Sequence, residues 1–174
     1  MEHPLSQFRY CPKCGSEHFD IHNEKSKQCK DCGFVYYFNP SSASVALILN
    51  KQNELLVCRR AKEPAKGTLD LPGGFIDMAE TGEEGVAREV KEETGLDVKD
   101  AEGGYMFTYK RENPGEGDNY FVDVYRFTLD IDDSDVNFQE AEIDGYMFAS
   151  IDEIKVFAQE GIFLHYDSIK KVFE

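Results

Sequence analysis

Two cysteine pairs, Cys11-Pro12-Lys13-Cys14-Gly15 and Cys29-Lys30-Asp31-Cys32-Gly33, separated by fourteen residues, leave the first forty residues few ways to fold. Each short turn presents two thiols on one side, and the glycine after each second cysteine permits the tight bend beneath a metal. Four thiolates suit a tetrahedral ion and close its coordination shell, so the expected role of the metal is structural. A disulfide framework is the competing use of such cysteines, but it belongs to oxidising compartments. The opening Met1-Glu2-His3-Pro4-Leu5-Ser6 has neither the basic nor the apolar region of a secretory signal. The longest apolar run, Val45 to Leu49, is far short of the roughly 20 residues that span a bilayer. The expectation is therefore a cytoplasmic chain without a membrane partner, holding one Zn²⁺ on Cys11, Cys14, Cys29 and Cys32.

Charge divides the chain at the same place. Residues 1–38 balance five basic residues against five acidic ones, so the formal charge of -15 lies wholly in the remainder. Between Arg126 and Lys155 there is no basic residue at all. A general phosphate-backbone binder needs clustered Lys and Arg, so a nucleic-acid partner is not expected. For the ribbon, with its balanced charge, a packing role or a homodimer contact is expected instead.

Beyond the cysteines, Phe34 to Phe38 reads as a strand that finishes the ribbon, and residues 39–42 read as a linker because Asn39-Pro40-Ser41-Ser42 is turn-rich. The expected division is thus 1–38, 39–42 and 43–174. Strands are predicted at 43–49 and 54–60 around a hairpin at Asn50 to Asn53, and again at 104–110, 120–129 and 145–149. A loop is expected at Pro114 to Gly117. The clearest helix is 82–94, with Thr81 and Glu84 in capping-box spacing and Gly95 as its stop. Further helices are expected at Asp152 to Gln159 and from His165 to Val172. Sheet with a few helices points to an α+β fold or an α/β/α sandwich of the α/β class.

That central helix carries an unusual face. At about 100° per residue, Glu92 and Glu93 fall on either side of Glu89, so three carboxylates share one face while Val86, Ala87 and Val90 form the other. Like charges at this spacing destabilise a helix by about 0.2–0.5 kcal/mol per pair, which a cation would relieve. The acidic face is expected to point outward, away from the core. Just upstream, Leu71-Pro72-Gly73-Gly74 combines one stiff residue with two permissive ones, so that backbone can approach a ligand or offer a carbonyl to metal.

From Gly74 the pattern runs Gly74, five residues, Glu80, seven residues, Arg88-Glu89-Val90, one residue, Glu92-Glu93, one residue, Gly95-Leu96. This resembles the signature of the Nudix hydrolase family at all nine specified positions over 23 residues. The resemblance covers the chain from about Ser44 onward, and the cysteine pairs ahead of it are similar in layout to those of NADH pyrophosphatases. A further motif of those enzymes, Ser-Gln-Pro-Trp-Pro-Phe-Pro, is missing here, for the chain has no Trp.

The resemblance implies a Nudix-like α/β/α sandwich with a mixed sheet, preceded by a small zinc-ribbon module. It implies Mg²⁺ or Mn²⁺ held by Glu89, Glu92, Glu93 and the Gly74 carbonyl, with Glu89 or another carboxylate helping to activate water. Glu80 and Arg88 would form an ion pair holding loop to helix. A further acid would come from a later loop, with Glu142 the first choice and Glu140 the second. Substrate contacts are expected from Arg60, Gly73 and Gly74, with Arg59 turned away because strand neighbours alternate. The implied activity is hydrolysis of a diphosphate bond in a nucleoside diphosphate linked to another moiety, such as ADP-ribose, a nucleotide sugar or an NADH-like small-molecule nucleotide. A regulatory or RNA-associated module that binds such a ligand without turnover is the alternative. Tyr105, Phe107, Tyr109 and Tyr120 are candidates to stack on a base, though such spacing also suits a sheet core. Cys58 is expected to be an inert core thiol, and His165 to be structural, without a partner.

Overall fold

The computed structural model describes residues 3–38, 42–63, 65–113, 118–139, 141 and 143–173. The Pro114 to Gly117 loop, Glu140, Glu142 and the linker residues 39–41 lie outside these. The chain forms two compact units, Met1–Pro40 and Ser41–Glu174.

The first unit is a three-stranded antiparallel sheet of β1 (Phe19–Asn23), β2 (Ser26–Cys29) and β3 (Val35–Tyr37) in the order β1-β2-β3. Only a small apolar cluster of Cys11, Phe19 and Cys29, with Phe34 against it, lies at its centre. A core so small cannot hold a forty-residue unit by burial alone, and such units ordinarily depend on a metal or disulfides.

The second unit is built on a mixed seven-stranded sheet. Its strands are β4 (Ser42–Leu49), β5 (Leu55–Arg60), β6 (Leu69–Asp70), β7 (Gly73–Phe75), β8 (Glu102–Asn113), β9 (Asp118–Thr128) and β10 (Ile143–Ala149). The main path runs β10-β5-β4-β9-β8, with β6 beside β5 and β7 beside β4. Strand β4 is a near-continuous apolar run, buried on both faces, as a central strand with a parallel neighbour should be. It pairs in parallel with β9 along its whole length, from Ser42 opposite Phe121 to Leu49 opposite Thr128. Ser42, read from sequence as linker, is therefore already strand, and its carbonyl accepts from the Ile76 N–H at 3.2 Å.

The other edge of β4 is divided. Its last residue meets β5 at Leu49 and Leu55, while its start pairs with β7, Ala43 opposite Phe75 and Val45 opposite Gly73. Between these the Ala46 N–H donates to the Pro72 carbonyl at 2.8 Å. The stretch around Leu71-Pro72-Gly73-Gly74 forms two short strands, β6 on β5 and β7 on β4, that fill the fork where β4 and β5 part.

Helix α1 (Gly82–Thr94) packs Val86, Ala87 and Val90 on one sheet face with Ala46, Ile48, Tyr125 and Phe127. Helices α2 (Ile151–Gln159) and α3 (Tyr166–Ile169) cover the other, where Ile154, Phe163 and Ile169 join Leu47, Leu55, Val57 and Val124. The result is the α/β/α sandwich. No helix among the described residues is long and apolar enough to cross a membrane.

Capping fixes where α1 begins. Thr81 Oγ1 accepts from the Glu84 N–H at 3.2 Å and Glu84 Oε2 accepts from the Thr81 N–H at 2.7 Å, while Gly95, at φ 76°, closes the other end with its N–H on Lys91 O. Replacing Thr81 by Ala should remove one of these bonds and lower unfolding free energy by about 1 kcal/mol, read from urea denaturation with an unchanged m-value.

Candidate active site and metal centre

The helix so placed carries its acidic residues toward β7. The Gly73 N–H donates to Glu93 Oε2 at 3.1 Å. A Cβ added at Gly74 would stand 2.5 Å from Glu89 Oε1, so the carboxylate occupies space that only glycine leaves. At Gly73 a Cβ would meet the Ser44 carbonyl at 2.2 Å, with φ at 155°. The paired glycines therefore let β7 lie between β4 and the helix at a separation no other residues permit.

Contrary to the expectation of an outward acidic face, Glu89 is only 17% exposed and Glu93 is half-buried, whereas Glu92 is 57% exposed. The reason is that β7 covers the flank of the helix on which Glu89 and Glu93 lie, an arrangement the helical period alone does not reveal. Arg88 supplies the missing countercharge. Its Nη2 donates to Glu80 Oε1 at 2.7 Å and to the Phe75 carbonyl at 3.2 Å, its Nε to Glu80 Oε2 at 3.1 Å, and its Nη1 to Glu89 Oε1 at 2.8 Å. The expected Glu80–Arg88 pair is thus bidentate and also reaches the site. The hydrogen bonds from Arg88 hold the Glu80 carboxyl below the usual carboxylate range, and they outweigh the opposing effect of burial.

On the far side of β7 lies a cleft of about 720 Å³. Gly73, Gly74 and Phe75 form part of one wall, Tyr109, Arg111 and Tyr120 another, and Leu164, His165 and Ser168 a third. Phe75 and Tyr120 rings lie 4.9 Å apart, and the Arg111 guanidinium sits 5.6 Å from the Tyr120 centroid. A smaller hollow of about 70 Å³ shares Arg60, Asp70, Leu71 and Gly73 with this cleft and extends to Glu93. The carboxylates of α1 and the cleft are therefore joined through Arg60 and Gly73.

Of the four candidate stacking residues, Tyr109 and Tyr120 line the cleft, Phe107 packs into the core, and Tyr105 stands on the opposite face against Tyr125, 5.8 Å between centroids. A register shift between Tyr105 and Phe107 breaks the alternation that would have kept them together. Arg60 lines the cleft and Arg59 is exposed, as alternation requires. Cys58 is buried, and its thiol is pushed up first by burial and then by the nearby Glu93 and Asp70 charges, so it is inert. His165 differs from expectation: its Nε2 lies 3.0 Å from Asp70 Oδ1. Nothing in the sequence pairs these two residues, 95 positions apart; only the docking of the last segment on β6 does. Glu142 and Glu140 lie outside the described residues.

In the first unit the sulfurs of Cys11, Cys14, Cys29 and Cys32 all lie within 4.8 Å of one another. Cys11 to Cys32 is 3.7 Å and Cys14 to Cys29 is 3.6 Å. Metal–sulfur bonds of about 2.3 Å in a tetrahedron put sulfurs about 3.75 Å apart, so the cluster already has the size of a metal centre. Burial resists ionisation of Cys29, but backbone N–H groups of Cys32 and Asp31 and the Cys14 thiol overcome it and bring the group to about 6.

A family model for the NUDIX domain matches residues 39–170, and one for the NADH pyrophosphatase zinc ribbon domain matches residues 6–37. The chain is 28% identical to a protein of Haemophilus influenzae named NAD-capped RNA hydrolase NudC over 155 residues, which is 88% of this chain and 55% of that protein. It is 50% identical over 60 residues, 34% of this chain and 35% of the other, to the ADP-ribose pyrophosphatase of Methanocaldococcus jannaschii. The chain thus spans about a third to just over half of the curated relatives it matches. A NUDIX hydrolase structure from Nitrosomonas europaea has the same fold, with a TM-score of 0.59 at 22% identity over 72% of this chain and 80% of that one.

Glu80 and Arg88 give a test of this geometry that needs no substrate. Glu80 has its pKa depressed by folding, so the pair stabilises the protein fully above the unfolded Glu value, about 4.3, and that contribution fades as pH falls through the folded value. An R88Q variant should be less stable by about 2 kcal/mol at pH 7, because two largely buried carboxylates lose their partner. The difference from the unsubstituted protein should shrink as pH falls below about 4, as seen in urea midpoints across pH 3–7.

Proposed function

The chain belongs to the NUDIX domain family, and on that footing we propose that it hydrolyses the diphosphate bond of a nucleoside diphosphate joined to a second group. The observation that carries this reading is the placing of Glu89 and Glu93 against the Gly73–Gly74 backbone, where the α1 carboxylates adjoin the cleft. We assign the divalent ion, Mg²⁺ or Mn²⁺, to Glu89, Glu92, Glu93 and the Gly74 carbonyl. The donor set fits: all are oxygens, as hard cations require, and the glycine without a Cβ leaves the backbone open to the carboxylates. When bound, such an ion neutralises phosphate oxygens and makes its water more acidic.

The residues of the chain then have distinct tasks. Arg88 holds Glu89 against β7 and so fixes the carboxylate's direction before any ligand arrives. The Gly73 N–H does the same for Glu93. Glu89, half-buried and close to the reacting region, is our choice to orient or deprotonate the attacking water, with Glu142 as the further acid. Arg60 faces the cleft beside Gly73 and is suited to an oxygen of the diphosphate, while Tyr120 and Phe75 offer an aromatic wall for the nucleoside. A module that binds such a ligand without turnover would not need all three helix carboxylates, and their joint presence favours the enzyme.

For the substrate class we propose small nucleotides of the ADP-ribose, nucleotide-sugar or NADH-like type. The name of the Haemophilus relative adds NAD-capped RNA to the compounds worth assaying. For the first unit, residues 1–38, we propose a structural Zn²⁺ on its four cysteines, in a cytoplasmic protein whose ribbon serves packing or a homodimer contact and is followed by a linker to the catalytic domain. The cluster dimensions support the metal.

Two experiments test these assignments. In E93Q the amide oxygen still accepts from the Gly73 N–H, so metal-free stability should stay within about 0.5 kcal/mol, whereas turnover on ADP-ribose, a nucleotide sugar or NADH with Mg²⁺ should fall by roughly 10² or more. Near-normal turnover would remove the metal role of this helix. In C29S, zinc measured by elemental analysis should drop from about one per chain to near zero, with amide exchange accelerating in residues 1–38 while the second unit, which has its own core, keeps its protection.

A further inference from the structure

The third wall of the cleft comes from the C-terminal segment, and one contact ties it to the rest. The Leu69 N–H donates to the Ile162 carbonyl at 2.9 Å and Leu69 bridges in parallel to Phe163, so this segment extends the sheet beside β6. That docking brings His165 Nε2 to 3.0 Å from Asp70 Oδ1. The Leu71 N–H also donates to Oδ1, at 2.8 Å, and Arg60 Nη1 donates to Oδ2 at 2.9 Å. Asp70 is therefore fixed from three directions, and both it and His165 expose only 20% of their side chains. Burial opposes its charge, but the contacts with His165 and Arg60 hold its carboxyl below the usual range.

Arg60, in turn, has a donor to spare. Its Nε is buried and has no acceptor among the described residues, although a buried donor left unpaired costs about 1–3 kcal/mol. The guanidinium lies where the cleft and the hollow leading to Glu93 share a wall. An oxyanion arriving there would meet a guanidinium whose plane is already set by Asp70. A carboxylate held by Arg60 alone could pivot about that contact; a second side-chain donor on its other oxygen removes the freedom. His165 can donate to Asp70 through Nε2–H whether the ring is neutral or protonated.

We propose that His165 is a positioning residue for substrate binding: it pins Asp70, which aims Arg60 at an oxygen of the substrate's diphosphate on the cleft side of the α1 carboxylates. This rests on the hydrolase reading above and extends it to a residue that acts through Asp70 and Arg60. The effect is on binding rather than on the bond-breaking step, because the relay ends at a guanidinium that holds the anion before and during reaction.

The test uses the full chain with ADP-ribose as probe, comparing H165A, H165F, H165Q, R60A and the R60A/H165A double variant. Steady-state rates with Mg²⁺ separate KM from kcat, and calorimetric titration of ADP-ribose in the presence of EDTA reads binding without turnover. Loss of one charge-assisted hydrogen bond should raise KM and Kd about tenfold in H165A with kcat changed less than about threefold. H165Q, whose amide N–H can take the place of Nε2–H, should recover to within about threefold of the unsubstituted protein. The double variant should bind no worse than R60A, since a residue acting through another adds nothing once that other is gone. H165F fills the ring's space without a donor and should behave as H165A does, which covers the case in which the smaller side chain lets the segment undock. KM and Kd within twofold in both H165A and H165F would overturn the proposal, as would H165Q no better than H165A, or losses that multiply in the double variant. Failure of the unsubstituted protein to bind ADP-ribose would overturn the assignment to this anion. Absence of turnover of ADP-ribose, a nucleotide sugar and NADH by the unsubstituted protein with Mg²⁺, in contrast, would strike the hydrolase reading and leave the binding results to judge the relay by themselves.

Discussion

Strand β4 has two edges, and the way it divides one of them governs the second unit. Along β9 it is paired without a break, which commits that edge fully and fixes the strand at the centre of the sheet. Along the opposite edge β5 keeps only the last residue and β7 takes Ala43 to Val45. Had β5 remained alongside throughout, no backbone could have entered between them. Because the strands part, the chain from Leu69 to Phe75 fills the fork, and the Gly73–Gly74 backbone becomes a thin partition with α1 on one side and the cleft on the other. The geometry of any reaction here depends on that partition being glycine.

Two arginines then work on either side of it with the same logic. Arg88 gathers Glu80, Glu89 and the Phe75 carbonyl, so that carboxylates pushed under β7 are held in a fixed direction. Arg60 is gathered by Asp70 where it lines the cleft. In the first case the cation serves to hold anions of the protein, and in the second an anion of the protein holds the cation. Preorganisation of this kind lowers the reorganisation needed when charge develops.

How much of this could be read in advance follows from the range of each interaction. Helix α1 was legible because its determinants are local: Thr81 and Glu84 are three residues apart, Gly95 closes it, and the structure places its ends at Gly82 and Thr94. The cysteine cluster was legible for the same reason, since paired short turns leave little choice of partner. Burial of Glu89 was not, because it depends on β7, a three-residue strand too short to leave a period in the sequence. Tyr105 and Phe107 were misjoined by a bulge that spacing does not encode. His165 was read as lacking a partner because Asp70 becomes its neighbour only when the last segment docks on β6. Local chemistry announced the machinery, while tertiary contacts decided which members of it face one another.

The docking of residues 162–169 on β6 has a consequence for biosynthesis. A ribosome reaches His165 roughly ninety residues after Gly73 and Gly74, which at 5–20 residues per second is a delay of about 5–20 s. During that interval α1 and β7 can already be in place while the wall carrying Leu164, His165 and Ser168 does not yet exist. A nascent chain can therefore hold its carboxylates before it can close the cleft beside them. Docking of residues 162–169 becomes the event that turns an acidic surface into a walled one.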